Sequence, residues 1–349
     1  MVNAESVDRS GDGNTETGDS DVIILAGDIG GTKTNMAFFE IQNGKLVATV
    51  EEQYVSRDYA SFDDLAKRFL REHPRQADYA CLGVAGPCRH GRCKAMNLPW
   101  VVDAKKLRIE LNVPSVIVIN DLEATAYSIA VLPPEDFAVI QPGASDADGN
   151  AAVIAAGTGL GEAGLLWDGH RHRPFACEGG HSDFAPRNPL EAGLFEFLRN
   201  ESGHVDWECV LSGPGLRNLY RYLRNLPDAK PSQTVADEMR TNDPSAVISR
   251  AALADQCPVC VAALNLFVSL YGAEASNLAL KMMATGGMYI GGGIAPKILK
   301  AMTGGIFTDA FVDNGRLRSV LEQIPIHVIL TDKAALLGAA QCARRESGF

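Results

Sequence analysis

Two segments of this 349-residue chain follow one plan, and that repetition restricts the fold more than any other feature of the sequence. In the first, the apolar run Val22-Ile23-Ile24-Leu25-Ala26-Gly27 passes through a polar turn into Met36-Ala37-Phe38-Phe39-Glu40-Ile41. In the second, Ala151-Ala152-Val153-Ile154-Ala155-Ala156 passes through Gly157-Thr158-Gly159-Leu160-Gly161 into the returning run at 163–167. Short continuous apolar runs bounded by glycine turns read as buried strands. The plan is strand, Gly/Thr-rich turn, strand, used twice. The copies are too far apart for a solenoid, whose period is about 20–50 residues. A duplicated domain is expected, with the two turns facing each other across a cleft.

The first turn, Gly27-Asp28-Ile29-Gly30-Gly31-Thr32-Lys33-Thr34, nearly spells a P-loop. That motif needs glycine directly before its Lys-Thr pair and opens a helix. Here Thr32 precedes Lys33, and residues 35–41 read as a strand. No Gly-x-Gly-x-x-Gly opens a helix either, so the dinucleotide fingerprint is absent. A hairpin tip still suits phosphate. Gly30 and Gly31 can take positive φ and let the backbone come close, while Thr32 and Thr34 bring hydroxyl donors. Asp28 is a hard oxygen ligand for magnesium, directly or through water. Either turn alone is an ordinary tight hairpin; the matched pair argues for more.

Residues 61–72 read as a helix capped by Ser61, with Phe62, Leu65, Phe69 and Leu70 on one face. Tyr79–Val84 and 116–119 are further short strands, and the alternation points to an α/β fold. Pro133-Pro134 and the stretch 143–150 suit a junction between halves, and 190–200 and 259–283 read as helices. The apolar stretch 257–273 falls short of the roughly 20 residues a membrane span needs, so a buried helix is expected. Residues 1–21 have neither a basic n-region nor an apolar h-region, and read as a disordered acidic tail rather than a signal. A formal net charge of -11 argues against nucleic-acid and membrane partners. Eight cysteines are too sparse for a disulfide scaffold. All eight, including Cys257-Pro-Val-Cys260 and the Cys88/Cys93 pair flanking His90, are expected reduced and structural, in a cytoplasmic setting.

Taken in order, these and further segments resemble the bacterial-type glucokinases, within the fold shared by hexokinase, actin and the heat-shock chaperone ATPases. Residues 25–32 resemble the family's first phosphate motif, and Gly157-Thr158-Gly159-Leu160-Gly161 its second. Asn97-Leu98-Pro99-Trp100 and Ile119-Asn120-Asp121-Leu122-Glu123-Ala124 resemble its sugar-side segments. Glu178-Gly179-Gly180-His181-Ser182-Asp183 and Val210-Leu211-Ser212-Gly213-Pro214-Gly215 follow, and Gly291-Gly292-Gly293-Ile294-Ala295-Pro296 resembles the adenosine-side motif. Each segment is weak alone, and the ordered set is specific.

The resemblance implies duplicated actin-like ATPase (ribonuclease-H-like) domains, a small and a large lobe. The implied small lobe is 22–131 with 331–349, and the large lobe 132–330. It implies transfer of the γ-phosphoryl group of ATP, with Mg2+, to the 6-hydroxyl of glucose, in a homodimer. Asp121 matches the catalytic base, and Asn120, Glu178, His181 and Glu208 match the sugar contacts. Asp28, Gly30, Gly31, Thr32, Gly157, Thr158 and Gly159 match the phosphate turns, and Gly292 and Gly293 the nucleotide side. Lys33 departs from the neutral polar residue often found there. The rival readings are a kinase for another hexose, a sugar-sensing regulator on the same fold, and a bare ATPase.

On physical grounds Asp121 follows a strand and opens a helix, where free N–H groups and the helix dipole favour its ionised form and a depressed pKa. Read locally it is simply an N-cap. Glu178, Glu208, Asn120 and His181 supply the paired acceptors and donors that sugar hydroxyls require. Asp183 lies near these acids and also reads as structural.

Overall fold

The computed structural model describes residues 20–347. The tail expected over 1–21 lies outside them except for its last two residues, which begin the first strand. The strand-turn-strand units form as expected and seed two sheets. β1 (Ser20–Ile29), β2 (Lys33–Gln42) and β3 (Lys45–Val55) make an antiparallel meander. β1 then pairs in parallel with β4 (Tyr79–Val84), reached through helix α1 (Phe62–Glu72). A small sheet of β5 (Cys88–Arg89), β6 (Arg92–Lys94) and β7 (Val101–Asp103), with helix α2 (Ala104–Glu110), precedes β8 (Ser115–Asn120). β8 pairs in parallel with β4, giving the order β3-β2-β1-β4-β8. Helix α3 (Asp121–Ser128) follows directly.

The second sheet repeats this order. β9 (Phe137–Gln141) comes first in the chain; β10 (Ala151–Ala156), β11 (Leu160–Trp167) and β12 (His172–Cys177) form the meander. β13 (Gly287–Gly291) runs parallel to β10, and β14 (Ile326–Ile329) parallel to β13. The order is β12-β11-β10-β13-β14-β9. With β9 set aside, both sheets are a three-strand meander followed by two parallel strands. Helices α4 (Pro189–Ser202), α5 (Gly213–Leu223), α6 (Gln233–Glu238), α7 (Pro244–Leu253) and α8 (Pro258–Met282) lie between β12 and β13 in the chain. Helices α9 (Leu299–Met302), α10 (Ile306–Val312) and α11 (Arg318–Leu321) precede β14, and α12 (Ala334–Glu346) ends the described chain.

Local chemistry explains the main elements. The Ser61 hydroxyl accepts the Asp64 N–H at 3.2 Å and starts α1, whose Phe62, Leu65, Ala66 and Phe69 are buried. Helix α8 is apolar on nearly every face because it is enclosed; among the described residues it alone has the length and hydropathy of a membrane span, and most of it is buried. Helix α12 packs on β1, β4 and α3 through Leu336, Ala339, Ala340 and Ala343.

The cysteines correct one expectation. Cys88 and Cys93 stand opposite each other on β5 and β6, with Cα atoms 4.2 Å apart, and form a disulfide. The tight turn at His90 and Gly91, both left-handed, closes this hairpin and brings the sulfurs together. The remaining six are free, including Cys257 and Cys260 at the buried start of α8. Reduced thiols therefore no longer argue for a cytoplasmic setting.

Candidate active site

The parallel strands β1, β4 and β8 end at Ile29, Val84 and Asn120, and β10 and β13 end at Ala156 and Gly291. Ligands of α/β sheets gather beyond such carboxyl ends, and the residues singled out above lie there. The β1–β2 turn is a hairpin tip, as the failed P-loop match required, with Gly30 N–H donating to Lys33 O at 3.0 Å. Gly30 and Gly31 are not left-handed, contrary to expectation. Gly31 is instead needed for space, since a Cβ there would lie 3.2 Å from Asn97 Cβ. The first turn thus rests on the segment 97–100. Thr32 and Lys33 are exposed. Thr34 is fully buried, its hydroxyl 3.0 Å from that of Ser56, which donates to Gly30 O at 2.8 Å. Thr34 therefore shapes the turn and is no phosphate donor.

Asn120, not Asp121, caps α3. Its Oδ1 accepts the N–H groups of Leu122 (2.9 Å) and Glu123 (3.3 Å), and its Nδ2 donates to Gly86 O at 3.2 Å. Asp121 is the first helical residue, and its Oδ1 accepts the Leu122 N–H at 3.0 Å. The expected depression of its pKa is overturned. Burial pushes the Asp121 carboxyl up to about 6, the charge of Glu178 adds to this, and the N–H bonds only partly offset it. Asp28 behaves alike: burial first, then the charge of Asp121, push it up to about 6, against the Asn35 Nδ2 bond at 3.2 Å.

Asp332 adds further negative charge at Asp28. An acid destabilised in this way suits a hard divalent cation, so the donor set fits magnesium. Among the described residues no group of three or more His, Cys, Asp or Glu forms a ready metal cage.

The second turn is fixed from several sides. Gly157 N–H donates to Gly159 O at 2.8 Å, and Gly213 N–H, at the start of α5, donates to Gly157 O at 2.9 Å. Leu160 N–H donates to Glu208 Oε2 at 2.9 Å, and a Cβ on Gly159 would overlap that oxygen. Thr158 is exposed, and open space surrounds Gly157 and Gly293. Gly292 has φ 82°, and a Cβ there would overlap Ala156 O. Tyr271, which sequence reasoning missed inside apolar α8, accepts the Ala156 N–H at 3.0 Å through its hydroxyl oxygen. The nucleotide-side segments all converge on Ala156.

Glu178, His181 and Glu208 form one cluster through backbone bonds: His181 N–H to Glu178 O at 3.1 Å, and Glu208 N–H to Gly180 O at 2.9 Å. Glu178 and His181 are exposed, open to a ligand. His181 Nδ1 is 3.0 Å from Asp206 Oδ2, a partner sequence reasoning also missed, and this bond raises the His181 pKa. Asp183 points to solvent, its side chain 88% exposed, with only His204 facing it at 3.7 Å. Its backbone bridges that of Asp206. Helix α3 joins the two halves, because Leu122 fills the space above Gly161 and Thr125 lies against Gly291. The charge of Glu178, from the second half, bears on the Asp121 carboxyl, and that of Asp121 on Asp28, from the first half. Such a site can orient a polyol against phosphate.

The glucokinase family model matches residues 25–346. A curated glucokinase from Nostoc sp. is 40% identical over 339 residues, covering 93% of this chain and 99% of the relative. The crystal structure of glucokinase from an Antarctic psychrotroph superposes with TM-score 0.79 at 32% identity, covering 93% of this chain and 99% of that one. A ROK family glucokinase from Streptomyces griseus, solved with glucose and AMPPNP, shares the fold at TM-score 0.63 and 21% identity, with coverage of 93% and 99%.

Proposed function

The chain belongs to the glucokinase family, and on that premise we propose that Asp121 is the general base for transfer of the γ-phosphoryl group of ATP to the 6-hydroxyl of glucose. One observation carries the assignment: Asp121 opens helix α3 where the parallel strands of the first sheet end, and its neighbour Leu122 packs on Gly161 of the second glycine turn. Phosphoryl transfer is loose, so catalysis is mostly positioning and charge stabilisation. Asp121 holds the hydroxyl in line and takes its proton as the new O–P bond forms.

The Gly30 and Gly157 N–H groups close the two turns, which leaves the N–H groups of Gly31, Thr32, Thr158 and Gly159 and the hydroxyls of these two threonines as donors to the phosphates, with Gly292 and Gly293 beside the adenosine. Asp28 would hold magnesium, which supplies charge neutralisation on the phosphate oxygens. One Asn120 N–H beyond that given to Gly86, Glu178, the free Glu208 oxygen and His181 Nε2 bind the sugar. Glu208 also anchors Leu160, so it ties sugar and phosphate sites into one frame. The lobes are taken as 22–131 with 331–349, and 132–330; their closure on glucose would exclude competing water. We assign the enzyme to the cytoplasm, where ATP is available, as a homodimer.

A coupled assay across a hexose panel, wild type beside Asp121→Ala, tests this reading. Glucose is expected to be the preferred acceptor, and near-normal turnover in the variant would remove the assignment. Because burial pushes the Asp121 carboxyl up to about 6, its basic form is lost as the pH falls below that value. The kcat/KM for glucose should fall about tenfold per pH unit there, and a pH–rate profile flat to pH 4.5 or so would contradict it. Asp206→Ala should raise the KM for glucose about tenfold, with a smaller effect on kcat, because the His181 ring loses the partner that fixes its tautomer. Steady-state kinetics at neutral pH check this.

A further inference from the structure

Directly behind the sugar cluster lies a buried pair of carboxyl groups that the chemistry above does not use. On β11, Ala163 and Leu165 face the cluster that holds Ala126 of α3. The two-residue period of a strand turns Glu162 the other way, toward α8. Glu162 is 1% exposed, and Glu274, in the middle of α8, is fully buried. Glu274 Oε2 accepts from Asn277 Nδ2 at 2.7 Å. Lys281 Nζ is 3.7 Å from Glu274 Oε1, beyond hydrogen-bond range. Glu162 Oε1 and Glu274 Oε1 have no hydrogen-bond partner. Buried acids in that state call for an explanation. Adjacent carboxyls satisfy one another when one is protonated and donates to the other.

Burial raises both acids, which favours one proton shared between them. Burial, then the charge of Glu274, push Glu162 up to about 8, with Lys281 opposing. Glu274 is raised by burial, with Asn277, Lys281 and Glu162 itself stabilising its anion. Other titratable groups facing Glu162 are Tyr271 on α8 and Cys177, paired with it across β12. Glu162 is also in direct contact with the sugar cluster, since a Cβ on Gly179 would overlap Glu162 Oε2. Gly179 follows Glu178 and opens the 3₁₀ turn that ends at His181.

We propose that Glu162 is a positioning residue: a proton shared with Glu274 keeps its carboxyl flat beneath Gly179 and holds the Glu178–His181 turn in its sugar-binding shape. The inference rests on reading Glu178 and His181 as sugar contacts. Loss of the proton leaves two buried anions beside one ammonium, and their repulsion drives Glu162 against Gly179. Glucose binding then follows the protonated fraction. It is full below about pH 8 and is lost as pH rises through that value.

The test is the KM for glucose against pH in wild type, Glu162→Gln and Glu178→Gln. In wild type it should rise about tenfold per unit above about pH 8, as apparent affinity scales with the competent fraction, while the KM for ATP stays level. Glu162→Gln carries a neutral donor at every pH and should give a glucose KM with no alkaline rise. Persistence of the rise in that variant overturns the proposal, and so does a wild-type KM flat to about pH 9. A flat wild-type profile overturns the proposal even if the variant does not fold. Glu178→Gln should raise the glucose KM at every pH; no change there removes the sugar-site reading itself, and the proposal with it. A rise there combined with an unaltered alkaline limb in Glu162→Gln removes only the positioning role.

Discussion

Replacing Asp121 by asparagine is expected to lower kcat for glucose by about 10²–10⁴-fold while the fold and nucleotide binding persist. The amide keeps the size of the carboxyl and can still accept the Leu122 N–H through its oxygen, so the start of α3 is preserved. What it cannot do is accept a proton from the sugar hydroxyl. The same substitution should stabilise the protein at neutral pH. The folded-state pKa is raised from 3.8 to about 6, so the wild-type group contributes most below its unfolded value and loses that contribution as pH rises through about 6. The variant escapes that loss, worth on the order of 3 kcal/mol at pH 7. Melting curves should therefore favour Asp121→Asn at neutral pH and converge with wild type below about pH 4. Loss of turnover with gained stability is the signature of a functional acid; loss of both would mark a structural one.

Gly338→Ala should be among the most destabilising single substitutions in the chain. Helix propensity argues the other way, because alanine is better than glycine inside a helix by about 1 kcal/mol. The packing decides against it. A Cβ at Gly338 would overlap Ala124 O and stand 2.9 Å from Ser128 N. Both are backbone atoms, so no flexible side chain can move aside. The helices must separate, at a cost of about 3 kcal/mol or more. Helix α3 carries Asp121 at its first position, so any protein that still folds should lose turnover as well. Calorimetry is expected to show a fall of several degrees in Tm, with a unit-matched drop in specific activity of the folded fraction. An unchanged Tm would mean that α12 does not approach α3 this closely.

The scaffold of this site was legible because buried strands are written as unbroken apolar runs. Tyr79–Val84 and Ala151–Ala156 appear in the structure with the bounds read from the sequence. The Ser61 cap was legible for the same kind of reason, since it depends only on residues within one turn. Effects that depend on tertiary distance were not. Thr34 looked like a phosphate donor, but its alternation along β2 turns it inward onto Ser56. Asp121 was expected to be acidified by its helix terminus, yet burial beside Glu178 outweighs two or three N–H groups. The Cys88–Cys93 disulfide depends on a three-stranded sheet too short to leave a periodic signal. Tyr271, Asp206 and Glu162 act through partners far away in the chain, and nothing in their immediate neighbours announces it.

The most direct measurement is a crystal structure of the wild-type enzyme with glucose and a non-hydrolysable ATP analogue. The account predicts an Asp121 carboxylate oxygen about 2.6–3.2 Å from the sugar 6-hydroxyl, with the backbone of the Gly30 and Gly157 turns against the phosphates. A sugar bound beyond the reach of Asp121, or phosphates that touch neither turn, would contradict it.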